Sequence, residues 1–167
     1  MRPTAAQVRQ LPARIQATVQ PGWIDANGHM NIRHYLELNA DGTTVLCDDI
    51  LGIDEIYRAR RRMGVFTAEH HLTYFNELHL GDRLSVHVRV LERSDKVVHM
   101  MGLLVDDTHE RLANTLELTL VHVNMDSRRA TPMPAEIASG FDRFIEASRA
   151  LDWEAPICGV MGVRRRS

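Results

Sequence analysis

The chain has 167 residues, enough for one domain with a real core, and its 44% hydrophobic and 25% charged content is ordinary for a globular protein. A net charge of −2 gives no reason to expect nucleic acid or an anionic membrane as partner, and no apolar run approaches the roughly 20 residues of a membrane span. Cys47 and Cys158 are too few and too far apart for a disulfide framework or a zinc knuckle, and residues 1–11 lack the apolar stretch of a secretion signal, so a cytoplasmic location is expected.

Residues 1–12, with Pro3 and Pro12, read as a loose or helical arm. Ile15, Ala17 and Val19 then alternate with Gln16, Thr18 and Gln20, the period of a strand, which Pro21-Gly22 ends. Asp25-Ala-Asn-Gly-His29-Met-Asn31 follows, a carboxylate, a glycine and polar side chains packed into one turn ahead of a helix. Two readings stand side by side. Asp25 and Asn27 can cap the helix while Gly28 makes the turn. Alternatively, an acid stands beside helix-start amides that can hold an oxyanion, the minimum equipment for acyl transfer.

From about Ile32 to Leu51 the apolar residues Ile32, Leu36, Ala40, Val45, Leu46 and Ile50 fall near helical spacing. Gly42 interrupts the run, which points either to close packing against the helix or to a kink. After the basic stretch Arg58 to Arg62 the period changes. Val65–Phe75, Leu84–Leu91, Val97–Val105 and Leu112–Val123 read as four strands separated by Gly81-Asp82, Ser94-Asp95 and Asp106-Asp107 turns. In the second of these Leu84, Val86, Val88 and Val90 alternate with Ser85, His87 and Arg89, which predicts one wet face. The third is apolar on both faces and should be the most buried. Pro132 and Pro134 close this region, and a last helix is predicted over 135–150, ahead of a tail with Trp153 and Arg164 to Arg166. The class is α+β with a largely antiparallel sheet. One helix cannot cover both faces of such a sheet, so a homodimer is expected to share the rest.

The order strand, Asp-x-x-Gly-His-x-Asn loop, helix and antiparallel meander resembles the hotdog-fold acyl-CoA thioesterases, with the 4-hydroxybenzoyl-CoA thioesterase type the nearest subgroup. The resemblance covers residues 13–135 and rests on Asp25-Ala-Asn-Gly-His29-Met-Asn31 with Tyr35-Leu36, and on Gly81-Asp82-Arg83-Leu84. It implies a curled five-stranded sheet wrapped around a long central helix. The divisions are an arm over 1–12, the hotdog domain over 13–135, and a C-terminal helix and tail over 136–167. It also implies active sites at the interface of a homodimer that can pair into a homotetramer, an acyl-CoA substrate and no separate cofactor. In this likeness Asp25 takes the place of the catalytic carboxylate, as nucleophile or general base. Gly28 and His29 take the places whose backbone amides polarise the thioester carbonyl. Asn31 and Tyr35 would line the pocket. Glu69 or His71, on the strand that borders the partner's site, would complete it, and Arg61 or Arg128 would grip coenzyme A phosphates with their guanidinium forks. Two departures stand out: Ile32 follows Asn31 where relatives carry a second asparagine, and Glu37-Leu-Asn39-Ala-Asp41 replaces a later aromatic–glutamate pair.

A narrower likeness joins Trp23-Ile-Asp25-Ala-Asn27-Gly-His29-Met and Thr131-Pro-Met-Pro134 to the betainyl-CoA thioesterases that accompany carnitine dehydrogenases. It implies a small cationic acyl group, for which Trp23, Glu69 and Tyr74 could supply a carboxylate or aromatic faces. The nine histidines are scattered, and His70 and His71 face opposite ways on a strand, so no metal site is expected. Two other functions fit the same architecture. One is an enoyl-CoA hydratase or dehydratase, although Asp25 and His29 are four apart and no proline follows Asn27. The other is a non-catalytic acyl-CoA-binding dimer.

Overall fold

The computed structural model describes residues 2–163; the arginine tail Arg164 to Arg166 lies outside the described residues. A one-turn helix α1 (Ala5–Val8) leads into β1 (Ala13–Thr18), a short 3-10 turn and the long helix α2 (Ile32–Val45), which runs on through a π-helical turn over Leu46–Ile50. A short helix α3 (Glu55–Arg61) precedes four long strands: β2 (Met63–Tyr74), β3 (Arg83–Arg93), β4 (Val97–Asp106) and β5 (Arg111–Asn124). A two-residue strand β6 (Arg129–Ala130) and the helix α4 (Ala135–Arg149) complete the order. All pairings are antiparallel and the strands lie side by side as β1-β3-β4-β5-β2, with β6 beyond the main path on β5. A curled antiparallel sheet around a long helix is the hotdog arrangement.

The π turn is visible in the Leu51 amide, which donates to Leu46 O five residues back at 3.1 Å. The inner face of the sheet carries Val88, Val90, Met100, Leu116 and Leu118, and these pack with Leu46, Cys47, Ile53 and, from α4, Ile137, Phe141 and Ile145. Gly42 is where α2 comes closest to β3: a Cβ there would stand 2.8 Å from Val86 Cγ1. Close packing, not a kink, accounts for that glycine. Asn39 is fully buried one turn earlier, and its Nδ2 donates to Asn114 Oδ1 on β5 at 2.8 Å. Asn39 therefore fastens the helix to the sheet, while Asp41 is exposed on the opposite side of α2.

β4 occupies the middle of the sheet and is buried on both faces, as its sequence predicts. The expected wet face of β3 is not wet. Ser85, His87 and Arg89 are all buried, as are Thr115, Glu117 and Thr119 on β5. The cause is the two ends of the chain. Ala5 and Val8 from the arm and Trp153 from the tail pack on Met101, Leu103 and Val105 of this outer face. Arg89 then finds its partners inside the protein: it donates to Ser148 Oγ, Ser148 O and Trp153 O at 2.8–2.9 Å, and its guanidinium lies 4.2 Å from the Trp153 ring centroid. Periodicity reported polarity correctly and coverage wrongly.

Candidate active site

The loop before α2 folds as a miniature hairpin. Ile24 and Met30 bridge, the Asp25 amide donates to His29 O at 3.1 Å, and the Gly28 amide returns to Asp25 O at 3.0 Å. Gly28 sits at φ +85°, a left-handed turn position that glycine alone takes without strain. Met30 N donates to Leu78 O at 2.7 Å and Asn31 N to Trp23 O at 2.8 Å, so the hairpin is pinned on both sides.

This geometry revises the expected roles in the loop. The helix opens at Ile32, and its cap is neither Asp25 nor Asn27 but Asn31, whose Oδ1 accepts from Arg33 N at 3.1 Å. The Gly28 amide, expected at the helix start, is instead spent on the hairpin turn. Among the described residues the amides of His29 and Ile32 have no acceptor. Ile32 N is the first orphan donor of α2, at the positive end of its dipole.

The Asp25 carboxylate is half-buried. Its Oδ1 accepts from Asn27 N at 2.8 Å, an Asx turn, and its Oδ2 is 3.4 Å from Asn31 Nδ2. One oxygen is thus fixed by the loop, and the other faces the residue that caps the helix.

Beside the loop lies a cavity of about 280 Å³ lined by His29, Ile32, Tyr35, Tyr74, Asn76 and Glu77, together with Met30 and Phe75. Asp25 is outside this lining, but His29 and Ile32 from the same loop and helix start are part of it. Tyr35 and Tyr74 meet edge to face, ring centroids 5.3 Å apart. Burial pushes the Tyr35 phenol up to about 12, so it is a neutral hydroxyl across the physiological range. Its oxygen accepts from Leu78 N at 3.0 Å, which leaves its own proton for another acceptor.

The remaining expected site residues are scattered. Glu69 and His71 lie on β2 opposite Thr119 and Glu117, on the outer face of the sheet, away from α2 and Asp25. Within one chain they do not meet the loop. Trp23 stacks on His34 at 5.1 Å. In the basic run, Arg58, Arg61 and Arg62 are already paired with Asp48, Glu136 and Asp126. Arg128, at φ +57°, lays its guanidinium 5.0 Å from the Phe66 ring centroid. Of the cavity residues that sequence reasoning missed, the polar ones are Asn76 and Glu77, which leave no periodic signal because they sit in the irregular segment between β2 and β3.

The sequence pattern of the thioesterase-like superfamily matches residues 19–141. A betainyl-CoA thioesterase from Pseudomonas aeruginosa is 30% identical over 92% of this chain and 96% of its own length. An L-carnitine dehydrogenase/betainyl-CoA thioesterase from Agrobacterium fabrum is 34% identical over 78% of this chain, which spans only 27% of that longer protein. Among solved structures, a Staphylococcus aureus protein in complex with CoA superposes with a TM-score of 0.81 at 22% identity, over 92% of this chain and 97% of the other.

Proposed function

The chain belongs to the thioesterase-like superfamily, and from that premise we propose that it hydrolyses a small acyl-CoA thioester to the free acid and coenzyme A. The observation that carries this reading is Asn31, whose one side chain caps α2 and reaches Asp25. The carboxylate and the unpaired Ile32 amide are thereby held in one frame. A thioester carbonyl placed between them has an acid on one side and an oxyanion donor on the other.

In this reading Asp25 acts in one of two ways. As general base it takes a proton from water while the water oxygen attacks the carbonyl carbon; the proton then goes to the departing thiolate of coenzyme A. As nucleophile it attacks the carbon itself, the C–S bond breaks and the thiolate of coenzyme A leaves. Water then opens the resulting anhydride, which restores the Asp25 carboxylate and releases the acid, whose proton goes to the thiolate. The Ile32 and His29 amides receive the oxyanion in either route, so the donor role moves from Gly28 to Ile32. Removal of one such donor in other enzymes costs about 3 kcal/mol, which sets the scale.

The cavity suits a short acyl group. The relatives' names point to a betainyl group, and Tyr35, Tyr74 and Glu77 offer that cation two ring faces and a carboxylate. Arg128, which has no carboxylate partner among the described residues, and Arg61 at the cost of its Glu136 pair, are the candidates for the phosphates of coenzyme A. The edge strand β2 is exposed along Phe66–His71, and a second copy pairing there would give the dimer, or a tetramer of two dimers. Glu69 and His71 would then border the neighbouring protomer.

Thiol release from a panel of acyl-CoA esters, betainyl-CoA included, tests the reaction. Asp25→Asn keeps an oxygen for the Asx turn and should lower kcat by about 10²–10⁴ with the fold unchanged. Hydrolysis at the parental rate in that variant removes Asp25 from the mechanism. Hydrated product without thiol release would make the protein a hydratase, and calorimetric binding without turnover would make it an acyl-CoA-binding module.

A further inference from the structure

The outer face of the sheet holds a second chemical cluster, far from Asp25. His71 on β2 and Glu117 on β5 are direct cross-strand partners, and the tail brings Cys158 to the same place. One donor atom from each of the three lies within 4.8 Å of the other two. We propose that His71, Glu117 and Cys158 bind a divalent transition metal of the zinc class, which clamps the C-terminal tail to the edge of the sheet.

Glu117 is only 1% exposed, and its ion-pair partner among the described residues is His99, with no arginine or lysine beside it. A buried carboxylate with no permanent cation beside it is costly. The second acid–histidine group, Asp82, Asp106 and His109, does not share this feature, because Arg111 Nε already donates to Asp106 at 3.0 Å. At Glu117 a divalent ion would balance one carboxylate and one thiolate, and the imidazole completes a mixed S, N, O donor set that suits zinc.

The surroundings are those of a prepared ligand shell. His99 Nε2 donates to Glu117 Oε1 at 2.8 Å, and the Cys158 amide donates to Oε2 at 2.7 Å. The first contact orients the carboxylate, and the second fixes the tail so that the thiol arrives beside it. Such outer hydrogen bonds to ligands are the usual support of metal sites. Ligand atoms about 2.0–2.3 Å from an ion stand about 3.5 Å apart, so from separations within 4.8 Å the cluster need contract by no more than about an ångström. His71 is exposed and Cys158 lies on an irregular segment, and both can make that movement. Exposure of His71 also gives the ion its entrance, and a fourth position stays open to water.

The test is a cobalt titration of chelator-stripped full-length protein under reducing, anaerobic conditions. One equivalent of Co²⁺ should give a sulfur-to-cobalt charge-transfer band in the near ultraviolet and the intense visible bands of a tetrahedral ion. Cys158→Ser should abolish the charge-transfer band, and His71→Ala should weaken binding. His99→Gln, which among the three ligands touches only the Glu117 carboxylate, should weaken it by about 10–100-fold. Zn²⁺ should displace cobalt and raise the Tm of the parent protein but not of Cys158→Ser. Circular dichroism checks that each variant is folded. Absence of the charge-transfer band in the parent protein, or its survival in folded Cys158→Ser, overturns the proposal.

Discussion

Asn31 is hydrogen-bonded toward Asp25 with one end of its amide and to the first turn of α2 with the other: Nδ2 lies 3.4 Å from Asp25 Oδ2, and Oδ1 accepts from Arg33 N at 3.1 Å. The two jobs can be separated by substitution. Asn31→Ala loses both and should cost about 1 kcal/mol of stability through the lost cap. Asn31→Ser keeps a capping oxygen but cannot reach Asp25. Its stability should stay near the parent's while kcat falls about tenfold, the value of one modest hydrogen bond to a charged group. Urea denaturation and thiol-release kinetics on the two variants measure the difference; equal kcat in Asn31→Ser and the parent would show that Asp25 needs no tether.

Tyr35 has a comparable double attachment. Its oxygen accepts from the buried Leu78 amide, and its proton is free for the cavity it shares with Tyr74. Tyr35→Phe leaves the Leu78 N–H without an acceptor, at about 1–3 kcal/mol. Turnover should fall as well, because the cavity loses its hydroxyl donor. Tyr74→Phe alters a half-exposed phenol and serves as the control, with a smaller loss of stability.

Much of this was legible in the sequence, and the gaps have physical causes. Alternation of Leu84, Val86, Val88 and Val90, and the double-sided apolarity from Val97, placed the strands, because side-chain period follows directly from strand geometry. The same alternation misjudged Ser85, His87 and Arg89, since polarity along a strand does not say whether the chain's own ends will cover that face. The helix start at Ile32 was read correctly but its cap was misassigned, because Asp25, Asn27 and Asn31 are all competent caps and only the hairpin from Ile24 to Met30 decides among them. His71, Glu117 and Cys158 are dispersed in the chain and joined only by cross-strand register and the returning tail. No local motif could have announced them.

Gly42 gives a prediction opposite in sign to helix propensity. At an exposed helical site, alanine in place of glycine stabilises by about 1 kcal/mol. Here the added methyl meets Val86 Cγ1 at 2.8 Å, and β3 behind it is part of the packed sheet. Gly42→Ala should therefore destabilise by about 1–3 kcal/mol. Val86→Ala in the same protein should return part of that loss, so a double-mutant cycle by chemical denaturation will show favourable coupling between the two positions. Strictly additive effects would mean that α2 does not bear on β3 here.

His87 predicts a pH dependence that belongs to the fold and not to the active site. The ring is buried on the outer face of β3, with Nδ1 donating to Leu11 O at 2.7 Å and Nε2 accepting from Ser85 Oγ at 3.0 Å in the neutral form. Burial holds its pKa below the ordinary 6.5, partly opposed by the Leu11 hydrogen bond. Protons therefore bind the unfolded chain more readily than the folded one. The stability this provides is complete above about pH 6.5 and is lost as the pH falls from there through the lowered folded value. The urea midpoint of the parent protein should drop between pH 7.5 and pH 5. His87→Gln, which keeps a donor for Leu11 O and cannot be protonated, should show a shallower drop over the same range. The difference between the two curves isolates this residue from the other eight histidines. Parallel curves would mean that the arm opens and hydrates the ring before it titrates.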